Sequence, residues 1–371
     1  MSHFAGMRGT AVAAAACAAS LVLAARAPGQ ALPGSASDSG SQEQVPVEVF
    51  TAPRPMKIAK PDCDVGGSGA LRRADACEEL LEGNEGWVTL GLMVDPSGKP
   101  YEVTVISSTG NRTFERVATK AIEQSTFEPA SLNGKPIESG YELKYKFVNG
   151  KTPYSGAKPE FVSAYRALLA AINAGDQAAA DAAMKNLKIT NLYEDAYFGL
   201  ATYDYASKWG DESQQLAGLR RAIAGEDRAQ YLPVDTFRSA LLACMKAELK
   251  ARLYAEAMDT WNRLEKSGVA NNTAAQLKPI IEQLEKLRSD DSAYAVHGQM
   301  PEGRWYLHLF KRHFQIVVRE GSLSDVRLRC DRRYVFFAFD PTLTYQVANK
   351  DGSCSIELEG TPGTRFDLVQ S

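Results

Sequence analysis

Residues 86–108 read GWVTLGLMVDPSGKPYEVTVISS, and the alternation in this stretch decides the fold of the region around it. Val88, Leu90, Leu92 and Val94 recur at every second residue, the period of a strand with one face in a core. Asp95-Pro96-Ser97-Gly98 is a turn with proline at its second position and glycine at its fourth. Tyr101, Val103 and Val105 continue as the return strand of a hairpin. A polar break at Ser107 to Asn111 follows. Phe114, Val117, Ala118, Ala121 and Ile122 then fall at helical spacing. Pro129 ends that stretch, and Asn133-Gly134 is a turn. In a closing strand Tyr141, Leu143, Tyr145 and Phe147 alternate with Glu142, Lys144 and Lys146. The order is strand, strand, helix, strand.

Further along the chain the period changes. Residues 159–289 read as helical hairpins. Phe161, Tyr165, Leu168, Leu169 and Ile172 form one stripe, and Gly175-Asp176 is a helix stop followed by an N-cap. Ala179, Ala182, Ala183 and Leu187 mark the next helix, and Leu216, Leu219 and Ile223 another. Tyr254, Ala257, Met258, Trp261 and Leu264 mark a further one, ended by Gly268. Leu277, Ile281, Leu284 and Leu287 mark the last, with Pro279 at a start or kink. Alanines at close-contact positions suggest a tetratricopeptide-like array, best at Leu253 to Ala257 followed by Trp261, although no clean 34-residue period is present. Residues 303–371 return to period two, as in Trp305, Leu307, Leu309 and in Phe314, Ile316, Val318. Six or seven short strands there predict a small all-β sandwich or barrel. The fold class expected is therefore α+β in several domains.

Upstream, Ala11 to Ala25 is an apolar run broken only by Ser20, with Arg8 before it and small residues after it. This is the layout of a secretory signal peptide, with cleavage expected after Ala31. An uncleaved inner-membrane anchor is the alternative, although the run is shorter than the roughly 20 residues a span needs. The division expected is a signal at 1–31, a flexible linker at 32–60, the strand–strand–helix–strand domain at 61–150, helices at 159–289 and a β-rich domain at 303–371. A periplasmic or secreted protein follows, with no membrane span left after cleavage.

Export permits disulfides. Cys63 and Cys77 flank the turn Gly66 to Gly69, and Cys330 and Cys354 share the strand-rich region, so two local bridges are the economical pairing. Cys244 is left on a helix face with Phe237, Leu241 and Met245, where a small buried apolar residue is expected.

The 42 basic and 45 acidic residues leave a net charge of −3, which excludes a general nucleic-acid binder. No catalytic constellation stands out, and an envelope hydrolase remains only a remote alternative. His308 and His313 have Lys311 and Arg312 between them, a poor setting for a metal. No cofactor is expected. Arg327, Arg329, Arg332 and Arg333 fall within seven residues and form a candidate patch for an anionic envelope polymer.

The first domain resembles the C-terminal domain of the TonB family. The pattern is Glu85-Gly86-x-Val88, Val94-Asp95-x-x-Gly98, Val103-x-Val105, Ser107-Ser108 and Phe114-Glu115. It continues in Phe127-Glu128-Pro129-Ala130, Asn133-Gly134 and Phe147-Val148-Asn149-Gly150. It spans about 65 of the 371 residues. The resemblance implies a binding protein that pairs an exposed strand edge with an extended peptide of an envelope partner or outer-membrane transporter. The candidate edge is the closing strand, Tyr141, Glu142, Leu143, Lys144, Tyr145, Lys146 and Phe147. An energy transducer for outer-membrane transport is the family's alternative role. The sequence departs from that pattern in its short linker, with only Pro33 and Pro46, and in Ser125, which stands where an aromatic residue is expected.

Overall fold

The structure, a computed structural model, describes residues 48–60, 84–148, 156–225, 230–268 and 271–371. The expected signal peptide, Cys63 and Cys77 lie outside the described residues. Two short strands come first, β1 (Phe50–Thr51) and β2 (Arg54–Lys57). They correct the expectation of a flexible linker up to residue 60. Each finds a partner about 70 to 80 residues away, a pairing that so few residues cannot announce by their own pattern.

The hairpin read from the quoted stretch is β3 (Gly86–Val94) and β4 (Pro100–Ser108). Its turn brings Gly98 against the next segment. With φ at +83° and Phe127 O only 2.0 Å from where a Cβ would sit, the position admits no side chain without a shift. Helix α1 (Arg112–Glu123) starts at Asn111, whose side chain accepts from Thr113 and Phe114 N–H. It buries the five residues expected from its spacing, Phe114, Val117, Ala118, Ala121 and Ile122. Three short strands follow, β5 (Thr126–Glu128), β6 (Ala130–Leu132) and β7 (Lys135–Ile137). Pairing joins β2 to β5 and β1 to β6. Then comes β8 (Ser139–Phe147), antiparallel to β3 along its whole length. The three-stranded sheet has the order β4-β3-β8. Val88, Leu90, Leu92 and Val94 bury against α1.

The central region holds seven helices among the described residues: α2 (Pro159–Ala174), α3 (Gln177–Asn186), α4 (Leu192–Trp209), α5 (Glu212–Ala224), α6 (Val234–Lys250), α7 (Tyr254–Lys266) and α8 (Asn271–Ser289). Gly175, in the left-handed region at φ 74°, ends α2, and Asp176 caps α3. Helices α4 and α5 meet closely at Gly199 and Gly218. A Cβ at Gly199 would come within 2.4 Å of the Ala222 nitrogen, so the backbones touch where side chains are missing.

Eight strands complete the chain, one or two more than the periodicity predicts: β9 (Tyr294–Gln299), β10 (Arg304–His308), β11 (His313–Glu320), β12 (Leu323–Cys330), β13 (Arg333–Ala338), β14 (Thr344–Gln346), β15 (Cys354–Gly360) and β16 (Arg365–Gln370). They form two four-stranded sheets, β10-β15-β12-β13 and β14-β11-β16-β9. One core lies between them, from Leu307, Val326, Ile356 and Leu358 on one side to Phe314, Ile316, Phe366 and Leu368 on the other. Cys330 and Cys354 stand opposite each other in the β12–β15 register and are joined by a disulfide. Cys244 is fully buried among the helices, as its apolar neighbours suggest.

Candidate functional site

Among the described residues β8 is the outer strand of its sheet, with β3 beside it. Its side chains divide by period two. Tyr141, Leu143, Tyr145 and Phe147 belong to the face that α1 covers. The Phe147 ring stacks on Phe114 with centroids 4.6 Å apart, and Tyr141 meets Phe127 edge-on.

Glu142, Lys144 and Lys146 lie on the opposite face, across from Gly91, Thr89 and Trp87. Alternation alone reads these charges as a solvated, protective rim. The structure covers this face with the rest of the chain. Trp87 is buried in the helical core beside Leu192, Leu219 and Phe237. The Lys144 ammonium donates to the Ala224 carbonyl at the end of α5. Gly140 abuts the β12–β13 turn so closely that a Cβ would sit 2.8 Å from the Cys330 carbonyl oxygen.

Glu142 is held by the C-terminal region. Its carboxylate accepts from the Tyr306 hydroxyl and from His308 Nε2, the latter at 2.7 Å. His308 also faces helix α7. Its backbone N–H donates to Glu256 Oε1 at 3.2 Å, and its Nδ1 lies 3.5 Å from the same oxygen. Burial on its own would push the imidazole's pKa down. The hydrogen bonds and charges of Glu142 and Glu256 outweigh it and raise the pKa to about 10, so His308 is a cation at neutral pH. Burial likewise opposes ionisation of Glu142, but the bond and charge of His308, with help from Tyr306 and Arg329, hold its carboxyl below the usual range. Asp259, also on α7, is pushed up by burial.

A second set of contacts ties β4 and the following strands to the same sandwich. Arg329 donates to the Glu102 carbonyl at 3.0 Å and pairs with Glu357, and Arg304 reaches both Glu357 and the Thr104 hydroxyl. Glu138 accepts from the Tyr101 hydroxyl and from the Tyr334 N–H. The four arginines read as a polyanion patch therefore have carboxylates of their own. Arg327 pairs with Glu359 at 2.9 Å, Arg329 with Glu357, Arg332 with Glu48 at 2.6 Å, and Arg333 lies 3.8 Å from Asp351. Among the described residues each of the four has a carboxylate beside it, and Arg333 is also half exposed.

Sequence reasoning finds the strand and misses what grips it. Tyr306 and His308 are two apart on one strand, so they share a face, but nothing local reveals that this face meets Glu142. His308 and His313 stand on different sheets.

The chain is a mixed α+β protein in which, among the described residues, the three-stranded sheet ends in β8. Residues 78–148 match the family described as Gram-negative bacterial TonB protein C-terminal, so the chain carries a TonB C-terminal domain. That domain implies TonB-like interaction with envelope partners and a periplasmic or envelope location. A stretch of 141 residues is also 28% identical to bifunctional autolysins of Staphylococcus epidermidis, strains RP62A and ATCC 12228 among them. It covers 38% of this chain and only 9% of those proteins.

Proposed function

We propose that the protein is an exported, non-enzymatic adaptor that binds an extended segment of an envelope partner by adding it to β8. The observation that carries this reading is the position of β8 as the outermost strand, among the described residues, of a TonB-type sheet. Strand addition draws affinity from main-chain hydrogen bonds and specificity from alternate side chains. The half-buried Leu143 and Tyr145 favour a guest with apolar residues at every second position. Among the described residues no helix is long and apolar enough to cross a membrane. The likeness to autolysins covers too small a part of them to bring their activity here. The helical and C-terminal regions serve as the support of the sheet.

Amide hydrogen exchange on the full chain tests the reading. The probes are synthetic peptides from the periplasm-facing ends of outer-membrane transporters. Protection confined to residues 139–147 is the expected result. Protection at 100–108 alone, or at neither strand, overturns it.

A further inference from the structure

His308 stands where all three regions of the described chain meet. Its ring bonds Glu142 of β8, it belongs to β10 of the sandwich, and its backbone N–H and Nδ1 face Glu256 of α7. Tyr306, on the same face of β10, bonds the same carboxylate and meets the His308 ring edge-on, with centroids 5.3 Å apart.

We propose that His308 is a positioning residue for the guest strand: through Glu142 it holds β8 in the geometry that a partner segment pairs with. This rests on the strand-addition reading above. Among the described residues β8 has a strand neighbour on one side, β3, and ordering such a strand when a guest arrives costs conformational entropy. Here that ordering is done in advance. The grip falls on successive residues of one face, with Gly140 against Cys330, Glu142 on His308 and Tyr306, and Lys144 on Ala224. These contacts run perpendicular to the sheet, whereas a guest pairs in its plane. The clamp and the guest therefore do not compete, and loosening the clamp weakens binding.

The experiment uses the full chain, its free-state amide exchange and its affinity for the transporter peptides. His308→Ala is expected to speed exchange across 139–147 and to weaken peptide binding by about tenfold, the lower end for the loss of one charge-assisted hydrogen bond. Exchange in α1 should not change. Glu142→Gln should act in the same direction, and the double variant should lose less than the sum of the two single ones, because they share the His308–Glu142 contact. His308→Lys, which restores a donor cation, should recover part of the affinity. A residue serving only general stability would instead speed exchange in α1 and across the sandwich together with 139–147. Tyr306→Phe, the mildest change, should act in the same direction and guards against a misfolded alanine variant. Unchanged exchange at 139–147, or tighter peptide binding in His308→Ala, overturns the proposal. A wild type that binds none of the peptides refutes the strand-addition reading instead, and the free-state exchange still decides whether the clamp exists.

Discussion

The indole nitrogen of Trp87 donates a hydrogen bond to Asp195 Oδ2 at 3.1 Å, and so ties the central strand of the TonB-type sheet to helix α4. The two residues are 108 apart in sequence. Asp195 is held from the other side by Arg221 at 2.6 Å, so a buried carboxylate is shared between the sheet and the helices. Trp87→Ala removes a large ring from the helical core and leaves part of that carboxylate unpaired. It should cost about 3–5 kcal/mol. Trp87→Phe keeps most of the packing and loses only the N–H, at about 1–2 kcal/mol. Urea denaturation of both variants checks the order. Equal losses would mean that the ring's packing contributes nothing, and a Trp87→Phe variant as stable as the wild type would mean that the hydrogen bond contributes nothing.

The disulfide gives a second prediction. It closes a loop with a sequence separation of 24 between strands that are already paired. Restricting the unfolded chain over that length is worth about 3 kcal/mol. Replacing both Cys330 and Cys354 with alanine should lower the stability of the full chain by roughly that amount. The Cys330 carbonyl lies against Gly140, so the pair should also speed amide exchange at the start of β8. A variant as stable as the wild type would show that strand pairing alone holds β12 to β15.

Much of this fold is legible in the sequence because local period carries it. The strands β3, β4 and β8 and helix α1 follow from alternation and helical spacing, and Gly175-Asp176 marks the break between α2 and α3. Helix α4 escapes that reading. It places Tyr193, Tyr197, Phe198, Tyr203 and Tyr205 around much of its circumference and buries Glu194 and Asp195, so no single apolar stripe announces it. The candidate site divides the same way. That β8 is a strand with one apolar face can be read from its own residues. That Glu142 meets His308 cannot, since 166 residues separate them. Arg327 and Arg329 look like part of an open patch because their carboxylates, Glu359 and Glu357, belong to a strand about 30 residues further on.

The clamp predicts a pH dependence. His308 binds its proton more tightly in the fold, with a pKa raised from 6.5 to about 10. Its stabilising contribution is therefore fully present below about pH 6.5 and is lost as the pH rises towards 10. Glu142 acts at the other end. Its folded pKa is held below 4.5, so its contribution is present above that value and is lost as the pH falls through the lowered pKa. The advantage of the wild type over His308→Gln should be largest near pH 6 and should shrink steadily towards pH 10. Urea midpoints across that range measure it, and a gap that stays constant would contradict the linkage.

Gly140 offers a steric test of the same seam. A Cβ there would sit 2.8 Å from the Cys330 carbonyl oxygen, which is backbone and cannot rotate aside as a side chain can. Gly140→Ala must therefore move β8 or the β12–β13 turn by several tenths of an ångström. Glu142 lies two residues along the same face, so the shift is passed to its bonds with Tyr306 and His308. A cost of about 1–3 kcal/mol is expected, together with faster exchange across 139–147. Gly134→Ala is the control. It too introduces a methyl group into this domain, at a turn with φ of 77° and nothing within 4 Å. It carries backbone strain of about 1 kcal/mol but no contact with the seam. If both variants change exchange at β8 equally, the effect comes from the domain's stability as a whole. If only Gly140→Ala does, the close approach to Cys330 is what fixes the outer strand.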